Sequence, residues 1–346
     1  MTRRYLIIGG TGSLGTKLIE RLLPDNDVAV FSRDEAKHWT RKNELSVGPL
    51  ASRSDGLRFY VGDVRDKSRI QDVIRQYKPE TIIVAAALKQ VDTCELSPSE
   101  SILTNLIGTE NVINAVNSLG QDQIVEAVLF VSTDKACSPV NVYGMCKAIS
   151  ERVVTSQAQT GEKHVRFLAV RYGNVLESRG SIVPLFKYQG MFGTQLTVTD
   201  PNMTRFLMTL DDSVDLIQKA LLNGRSGETW IPRLPAMRVG DLAEIFSAKH
   251  SKPIKIIGLR PGEKQHEDLI NSSEGVRTRL SGDEKNYIIG PAFEAGDGPA
   301  LTYTSADLVM TPIELFQYLD KLGIIDMPLS GFTGQKIEEI ITNRKE

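Results

Sequence analysis

Tyr143 and Lys147 stand four residues apart, a spacing that sets two side chains on one helical face. A phenol, with a pKa near ~10, is a poor base at neutral pH. A neighbouring cation favours its phenolate. That phenolate could take the proton of a hydroxyl while hydride leaves the same carbon. Eight residues before Tyr143 the chain reads Ser132-Thr133-Asp134-Lys135. Asp134 and Lys135 add a second acid–base couple to the candidate set. The plain alternatives are a core tyrosine beside a solvated lysine, and a surface ion pair on a loop.

These residues need a scaffold, and the first half of the chain describes one. Apolar runs at Tyr5–Ile8, Val28–Phe31, Leu57–Val61, Ile82–Ala87, Val128–Ser132 and Val165–Val170 alternate with helical patterns. Continuous runs rich in Val, Ile and Leu predict strands buried on both faces, hence an α/β, doubly wound parallel sheet. Ser132 to Lys135 then fall at the carboxyl end of the fifth strand, where ligands bind in such sheets.

The first strand leads into Gly9-Gly10-Thr11-Gly12-Ser13-Leu14-Gly15. Glycines at relative positions 1, 4 and 7 let backbone approach a pyrophosphate, and the N-terminus of the following helix favours its charge. The cofactor is read at the end of the second strand, where Ser32-Arg33 stands in place of a carboxylate. An acid there would bind the ribose of NAD, whereas a hydroxyl with a guanidinium would accept a 2′-phosphate. The expectation is NADP, although Asp34 is adjacent. Asp63, just after the third strand, could hold an adenine amino group or cap a helix starting near Asp66.

Ser97-Pro98-Ser99-Glu100 has the form of a capping box. It predicts a continuous helix ending at Gly120, with Ile102, Leu106, Ile113 and Val116 on its apolar face. Beyond about Asn174 the rhythm breaks and Gly and Pro cluster. The helical segment Asp211–Leu222 should return to the first domain. We therefore expect a Rossmann domain over 1–177, rejoined by about 202–231. A smaller α/β substrate domain over 178–201 and 232–330 and a terminal helix or tail over 331–346 complete the chain.

The chain has 346 residues, with 41 Lys+Arg against 43 Asp+Glu, so the net charge of −2 gives no footprint for nucleic acid or an anionic membrane. The longest apolar run, Ile82 to Leu88, is far short of the ~20 residues of a spanning helix. Three cysteines, Cys94, Cys137 and Cys146, form no CxxC pair. That fits a reducing compartment and gives no zinc site. The expectation is a cytoplasmic protein without a metal.

In the order of its segments the chain resembles the extended short-chain dehydrogenase/reductase superfamily. More narrowly it resembles the C5-inverting UDP-N-acetylglucosamine 4,6-dehydratases of polysaccharide biosynthesis. The segments are GGTGSLG (9–15), FSRDE (31–35), GDVRD (62–66), AAALKQV (85–91), STDKA (132–136), NVYGMCK (141–147), VRYGNVLESRGS (170–181), MTRF (203–206) and RPGEK followed by His266-Glu267. The departure is NVYGMCK, where a small residue and Thr or Ser would be expected before the lysine.

The resemblance implies oxidation of a sugar at C4, elimination across C5 and C6, and hydride return to C6. Thr133, Tyr143 and Lys147 would serve the oxidation, and Asp134 and Lys135 the elimination. Lys135 then needs a lowered pKa and Asp134 a proton. The cofactor site would comprise Gly9, Thr11, Gly12, Ser13, Leu14, Gly15, Ser32, Arg33, Asp63, Val64, Ala85, Ala86, Ala87, Lys89, Tyr143, Lys147, Tyr172 and Asn174. Lys89, Asn174, Arg205, Arg260 and Glu263 would bind UDP-N-acetylglucosamine. Family members assemble as dimers or hexamers, so a homo-oligomer is expected. Two other functions compete. A UDP-N-acetylhexosamine 4-epimerase would share the Tyr–Lys oxidation but need neither Asp134 nor Lys135. A non-catalytic NADP-binding protein would not be expected to keep both Tyr143 and Lys147.

Overall fold

Seven parallel strands form the body of a nine-stranded sheet in the computed structural model, which describes residues 2–120, 124–160, 164–176, 178, 180–296 and 298–329. The strands are β1 (Arg4–Ile8), β2 (Asp27–Ser32), β3 (Leu57–Val61), β4 (Thr81–Val84), β5 (Ala127–Val131), β6 (Arg166–Val170) and β7 (Thr229–Pro232). Two antiparallel strands, β8 (Thr278–Leu280) and β9 (Asn286–Ile289), extend the sheet beyond β7. The order β8-β9-β7-β6-β5-β4-β1-β2-β3 places the switch of winding direction between β1 and β4. The chain thus has the Rossmann architecture of an α/β doubly wound sheet.

Burial on both sides explains the unbroken apolar runs. Ile7, Val28, Val30, Ile83, Leu129 and Leu168 pack on one face against α1 (Ser13–Leu22) and the later helix Leu210–Asn223. Leu6, Ile8, Phe31, Ile82, Val128, Phe130 and Phe167 pack on the other face against Lys67–Tyr77 and Gly108–Asn117. Each fully buried side chain of this size contributes roughly 1.5–3 kcal/mol. The returning helix Leu210–Asn223 begins with a Thr209/Asp212 capping box and pairs Asp211 with Arg21 at 2.6 Å.

The remaining elements form a smaller body over the carboxyl ends of the strands. Its strands Asn174–Val175, Thr204–Met208 and Ala236–Arg238 make one short sheet. Its core comes from Val183, Phe186, Leu196, Leu207, Leu242, Phe246, Leu315 and Leu319. Residues 278–289 lie inside the stretch assigned above to the substrate domain, yet they build β8 and β9 of the main sheet. The expected terminal helix over 331–346 lies outside the described residues. Among those residues no helix is long and apolar enough to cross a membrane.

The helix expected from Ser97 needs a larger correction. Ser97 makes no side-chain cap, and the Glu100 carboxylate pairs with Arg65 at 3.0 Å and not with the Ser97 backbone. A short α turn, Pro98–Ser101, passes into a π-helical segment, Ile102–Ile107, before α geometry resumes at Gly108. The wider turn points Ser101, Thr104 and Asn105 inward and leaves Ile102 exposed, whereas Ile113 and Val116 farther along are buried as expected. Asn105 accepts from Leu88 N at 2.8 Å and donates to Leu88 O at 2.9 Å. Such π segments are frequent at functional sites, and this one holds the chain just after β4.

Candidate active site

A cleft of ≈ 790 Å³ opens over the carboxyl ends of β1, β2, β4, β5 and β6 and beneath the smaller body, within the range of small-molecule and cofactor sites. Every candidate residue named above lines it, with the exception of Asp63. Asp63 instead accepts from Arg65 N at 2.9 Å and from its guanidinium at 2.6 Å. Burial opposes the charge of Asp63, but Arg65 outweighs it and lowers the pKa. The capping reading of Asp63 does not hold, for the following helix is capped by Asp66.

At one end lies the glycine loop. Gly9 has φ +87°, and a Cβ there would lie 2.5 Å from Ala86 N. A Cβ on Gly15 would lie 2.4 Å from the Gly10 Cα. These two glycines let strand, loop and helix close together. Gly12 differs, since a Cβ there meets nothing nearer than Gly9 O at 3.6 Å. Gly12 also occupies the N-cap of α1 with no side-chain cap, so the positive end of that helix faces the cleft. This cradle fits the pyrophosphate of a dinucleotide.

Beyond the loop, Ser32 Oγ lies 2.6 Å from His38 Nε2 and Arg33 Nη1 lies 3.7 Å from Asp63. Asp34 caps the helix Glu35–Val47 through Lys37 N at 3.0 Å and pairs with the Lys37 ammonium at 2.8 Å. The adjacent acid is therefore already engaged. Lys37, which the sequence reading did not pick out, joins Arg33 on the cleft wall.

At the other end the acid–base residues meet. Asn141 caps the helix Val142–Thr155 by accepting from Gly144 N at 2.8 Å. A Cβ on Gly144 would lie 2.2 Å from Lys135 O, so glycine lets this helix approach the end of β5. The Lys147 ammonium donates to Val131 O at 2.5 Å and lies 3.8 Å from the Phe130 ring centre. Burial pushes it down to about 7. Burial pushes Tyr143 up to about 12, against the pull of the Lys135 charge and a hydrogen bond with Thr133. The cation acting on the phenol is thus Lys135, where the i, i+4 spacing pointed to Lys147.

Lys135 donates to Asp134 Oδ1 at 3.1 Å and lies 3.2 Å from Glu267 Oε1. Burial alone would lower its pKa, yet Asp134 and Glu267 together raise it. The lowering expected from the sequence is absent. Asp134 is also held by the Thr133 hydroxyl at 2.8 Å. Glu267, which follows RPGEK in the sequence with no local signal of a role, is buried at this cluster. Five buried oxygens along the cleft, Thr104 Oγ1, Ser132 Oγ, Asp134 Oδ2, Asn174 Oδ1 and Glu267 Oε2, have no hydrogen-bond partner among the described residues. Buried polar atoms are rarely left so, and their concentration here marks where a ligand belongs.

The substrate candidates divide. Arg260 pairs with Glu263 at 2.6 Å across the turn at Gly262, whose carbonyl accepts from Asn141 Nδ2 at 2.7 Å. Arg205 directs its guanidinium to Thr204 O at 2.7 Å and Lys264 O at 3.0 Å. It therefore braces the segment before Glu267 more than it presents a fork to the cleft. Lys89, Tyr172 and Asn174 lie on the wall between the two ends.

Comparison with known proteins shows the family and the fold. The polysaccharide biosynthesis protein family matches residues 5–288. A UDP-glucose 4-epimerase from Rickettsia prowazekii is 41% identical over 284 residues, covering 79% of each chain. The X-ray structure of Pen from Bacillus thuringiensis superposes with a TM-score of 0.85 at 32% identity, covering 93% of this chain and 98% of that one. DesIV, a dTDP-glucose 4,6-dehydratase from Streptomyces venezuelae, shares the fold with a TM-score of 0.64 at 22% identity, over 76% of this chain and 86% of its own.

Proposed function

The chain belongs to the polysaccharide biosynthesis protein family, and from that premise we propose that it is a nucleotide-sugar 4,6-dehydratase. It is an enzyme of the nucleotide-sugar epimerase/dehydratase superfamily. The finer reading takes UDP-N-acetylglucosamine to a 2-acetamido-2,6-dideoxy-4-keto sugar with inversion at C5. The observation that carries it is a half-buried Lys135 held between the buried Asp134 and Glu267, beside Tyr143. A 4-epimerase needs one proton acceptor at O4. Burying two carboxyl groups around a lysine is costly unless they act, and elimination gives the three groups work at C5 and O6.

A nicotinamide dinucleotide held at the glycine loop supplies hydride acceptance at C4 and hydride return at C6. NADP is favoured because Arg33 and Lys37 line that end of the cleft while Asp34 is engaged by Lys37. Tyr143 Oη takes the proton from O4 as the ketone forms, with Thr133 fixing the phenol. The new ketone acidifies C5–H, which Lys135 Nζ removes while Asp134 gives a proton to the departing O6. Lys135 then returns a proton to C5 from the opposite face. Arg260 and Glu263 hold the nucleotide end, through phosphate and ribose. A second reading, a 4-epimerase, is favoured by the name of the 41%-identical Rickettsia protein.

One incubation separates them. Wild-type protein with UDP-N-acetylglucosamine in deuterated water should give a 6-deoxy methyl signal by proton NMR, with deuterium at C5 and couplings of the L-arabino configuration. Denaturing the protein should release NADP, identified by mass. A galacto product without a methyl signal makes it an epimerase. A deuterated product that keeps the gluco-like C5 configuration sinks inversion alone, and release of NAD alone overturns the role of Arg33.

A further inference from the structure

Glu267 is brought to the reacting end of the cleft from a segment 132 positions beyond Lys135, and its place there is rigid. Its backbone N–H donates to Ser305 Oγ at 2.9 Å and its carbonyl accepts from Ser305 N at 2.8 Å. Ser305 is fixed in turn by Thr204, 2.6 Å between hydroxyls, and Thr204 by His266 Nδ1 at 2.8 Å. Glu267 Oε1 faces the Lys135 ammonium at 3.2 Å and Arg205 Nε at 3.8 Å, while Oε2 has no partner among the described residues.

The dehydratase reading leaves one proton unassigned. Asp134 and Glu267 beside Lys135 favour its ammonium form, yet removal of C5–H requires its neutral amine. Asp134 cannot receive the ammonium proton and also deliver its own to O6 in the same step. Glu267 also lies within hydrogen-bond distance of Nζ, at 3.2 Å, and has an oxygen to spare.

We propose that Glu267 is a positioning residue that accepts a proton from Lys135 and so sets the amine free to act at C5. One N–H bond of the ammonium breaks and one O–H bond forms on Glu267, so a charged pair becomes a neutral acid and a neutral amine. The amine then takes the C5 proton, and after Lys135 has delivered a solvent-exchanged ammonium proton to the opposite face of C5 the carboxyl hands its own back to Lys135. The count closes over the whole site, since the proton that Asp134 gives to O6 is matched by the one that Tyr143 takes from O4. The groups that face Glu267 are Lys135, Arg205 and Lys264, which favour its charge, and Asp134, which opposes it. Burial is the largest influence and raises the carboxyl above its ordinary range, as a proton acceptor in this position needs. This inference rests on the dehydratase reading and assigns the proton inventory of that same site.

Glu267→Gln keeps shape and hydrogen bonding but cannot take the proton. With wild type and variant both loaded with cofactor, deuterium incorporation at C5 and transient reduction of the bound dinucleotide are followed in single turnovers. At pH 7 the variant should lose C5 exchange by about 10²-fold while C4 oxidation stays within about threefold. Its exchange should recover as pH rises and solvent takes the ammonium proton. If exchange in the variant equals that of wild type, or its loss does not change with pH, the proposal is overturned. A merely structural role would depress oxidation and exchange together. Should Glu267→Gln not fold, Glu267→Asp moves the acid one methylene from Nζ, and unaltered exchange there overturns the proposal equally. Failure of the dehydratase reading itself would appear in wild type, as a product with no deuterium at C5.

Discussion

Tyr143→Phe is expected to lower kcat by roughly 10²–10⁴-fold, the range for removal of a general base, while substrate affinity stays within about threefold. The phenyl ring fills the same buried space in the helix Val142–Thr155, so the fold and the other sugar contacts persist. What is lost is the oxygen held by Thr133 beside Lys135. The pH profile supplies an independent check. Burial pushes the phenol up to about 12, so it carries its proton at pH 7, and the competent phenolate fraction grows with rising pH. Wild-type kcat/KM should therefore climb from pH 7 toward alkaline values, and the climb due to this group should vanish in the variant. A Phe variant that turns over within a few-fold of wild type would mean that another group takes the O4 proton.

The largest effect on stability should come from Arg171, which follows β6 directly. All five of its N–H donors are engaged. Two go to Glu151 at 3.1 and 2.5 Å, two to Glu274 at 2.8 Å each, and one to Leu269 O at 2.8 Å. All three charged side chains are buried. Arg171→Leu would leave two carboxylates buried without their cation, and breaking such a pair costs about 3–5 kcal/mol. The urea midpoint should fall accordingly, or the variant should fail to accumulate as folded protein. Acid should narrow the gap. Burial opposes the charge of Glu274, but Arg171 outweighs it and holds the pKa below its ordinary value. That contribution is complete above the unfolded value of about 4.3 and is lost as pH falls through the depressed folded value. Equal midpoints at pH 7 would show that the network is idle.

Much of this arrangement could be read from residue order. The strands around Leu6–Ile8, Ile82–Val84 and Phe167–Val170 are apolar on both faces, so their burial was legible without knowing what covers them. The glycine loop was legible because its turn and helix follow in sequence. The helix expected from Ser97 does run from Pro98 to Asn117, but its cap and its π segment were not legible, since Glu100 pairs with the distant Arg65 instead. Its π turn depends on contacts with Leu88 and on Gly108, where a Cβ would come within 2.6 Å of Val64. β8 and β9 are too short for their pattern to say which sheet they join. Glu267 was in plain view after RPGEK, but no local signal brings it to Lys135. That pairing exists only once Ser305 and Thr204 have fixed the intervening chain.

Asn141 joins two places that the sequence separates by 121 positions. Its side-chain oxygen starts the helix bearing Tyr143, and its amide nitrogen holds the carbonyl of Gly262, at the turn assigned above to the nucleotide end of the substrate. Pulling that turn inward therefore bears on the register of the phenol. Recognition of a part of the substrate that never reacts becomes a contribution to turnover, because binding energy gathered at a distance can be used to orient the reacting groups. A sugar 1-phosphate lacking the nucleoside should accordingly show a lowered kcat as well as a raised KM, and an unchanged kcat would mean that the two halves of the cleft act as independent lodgings.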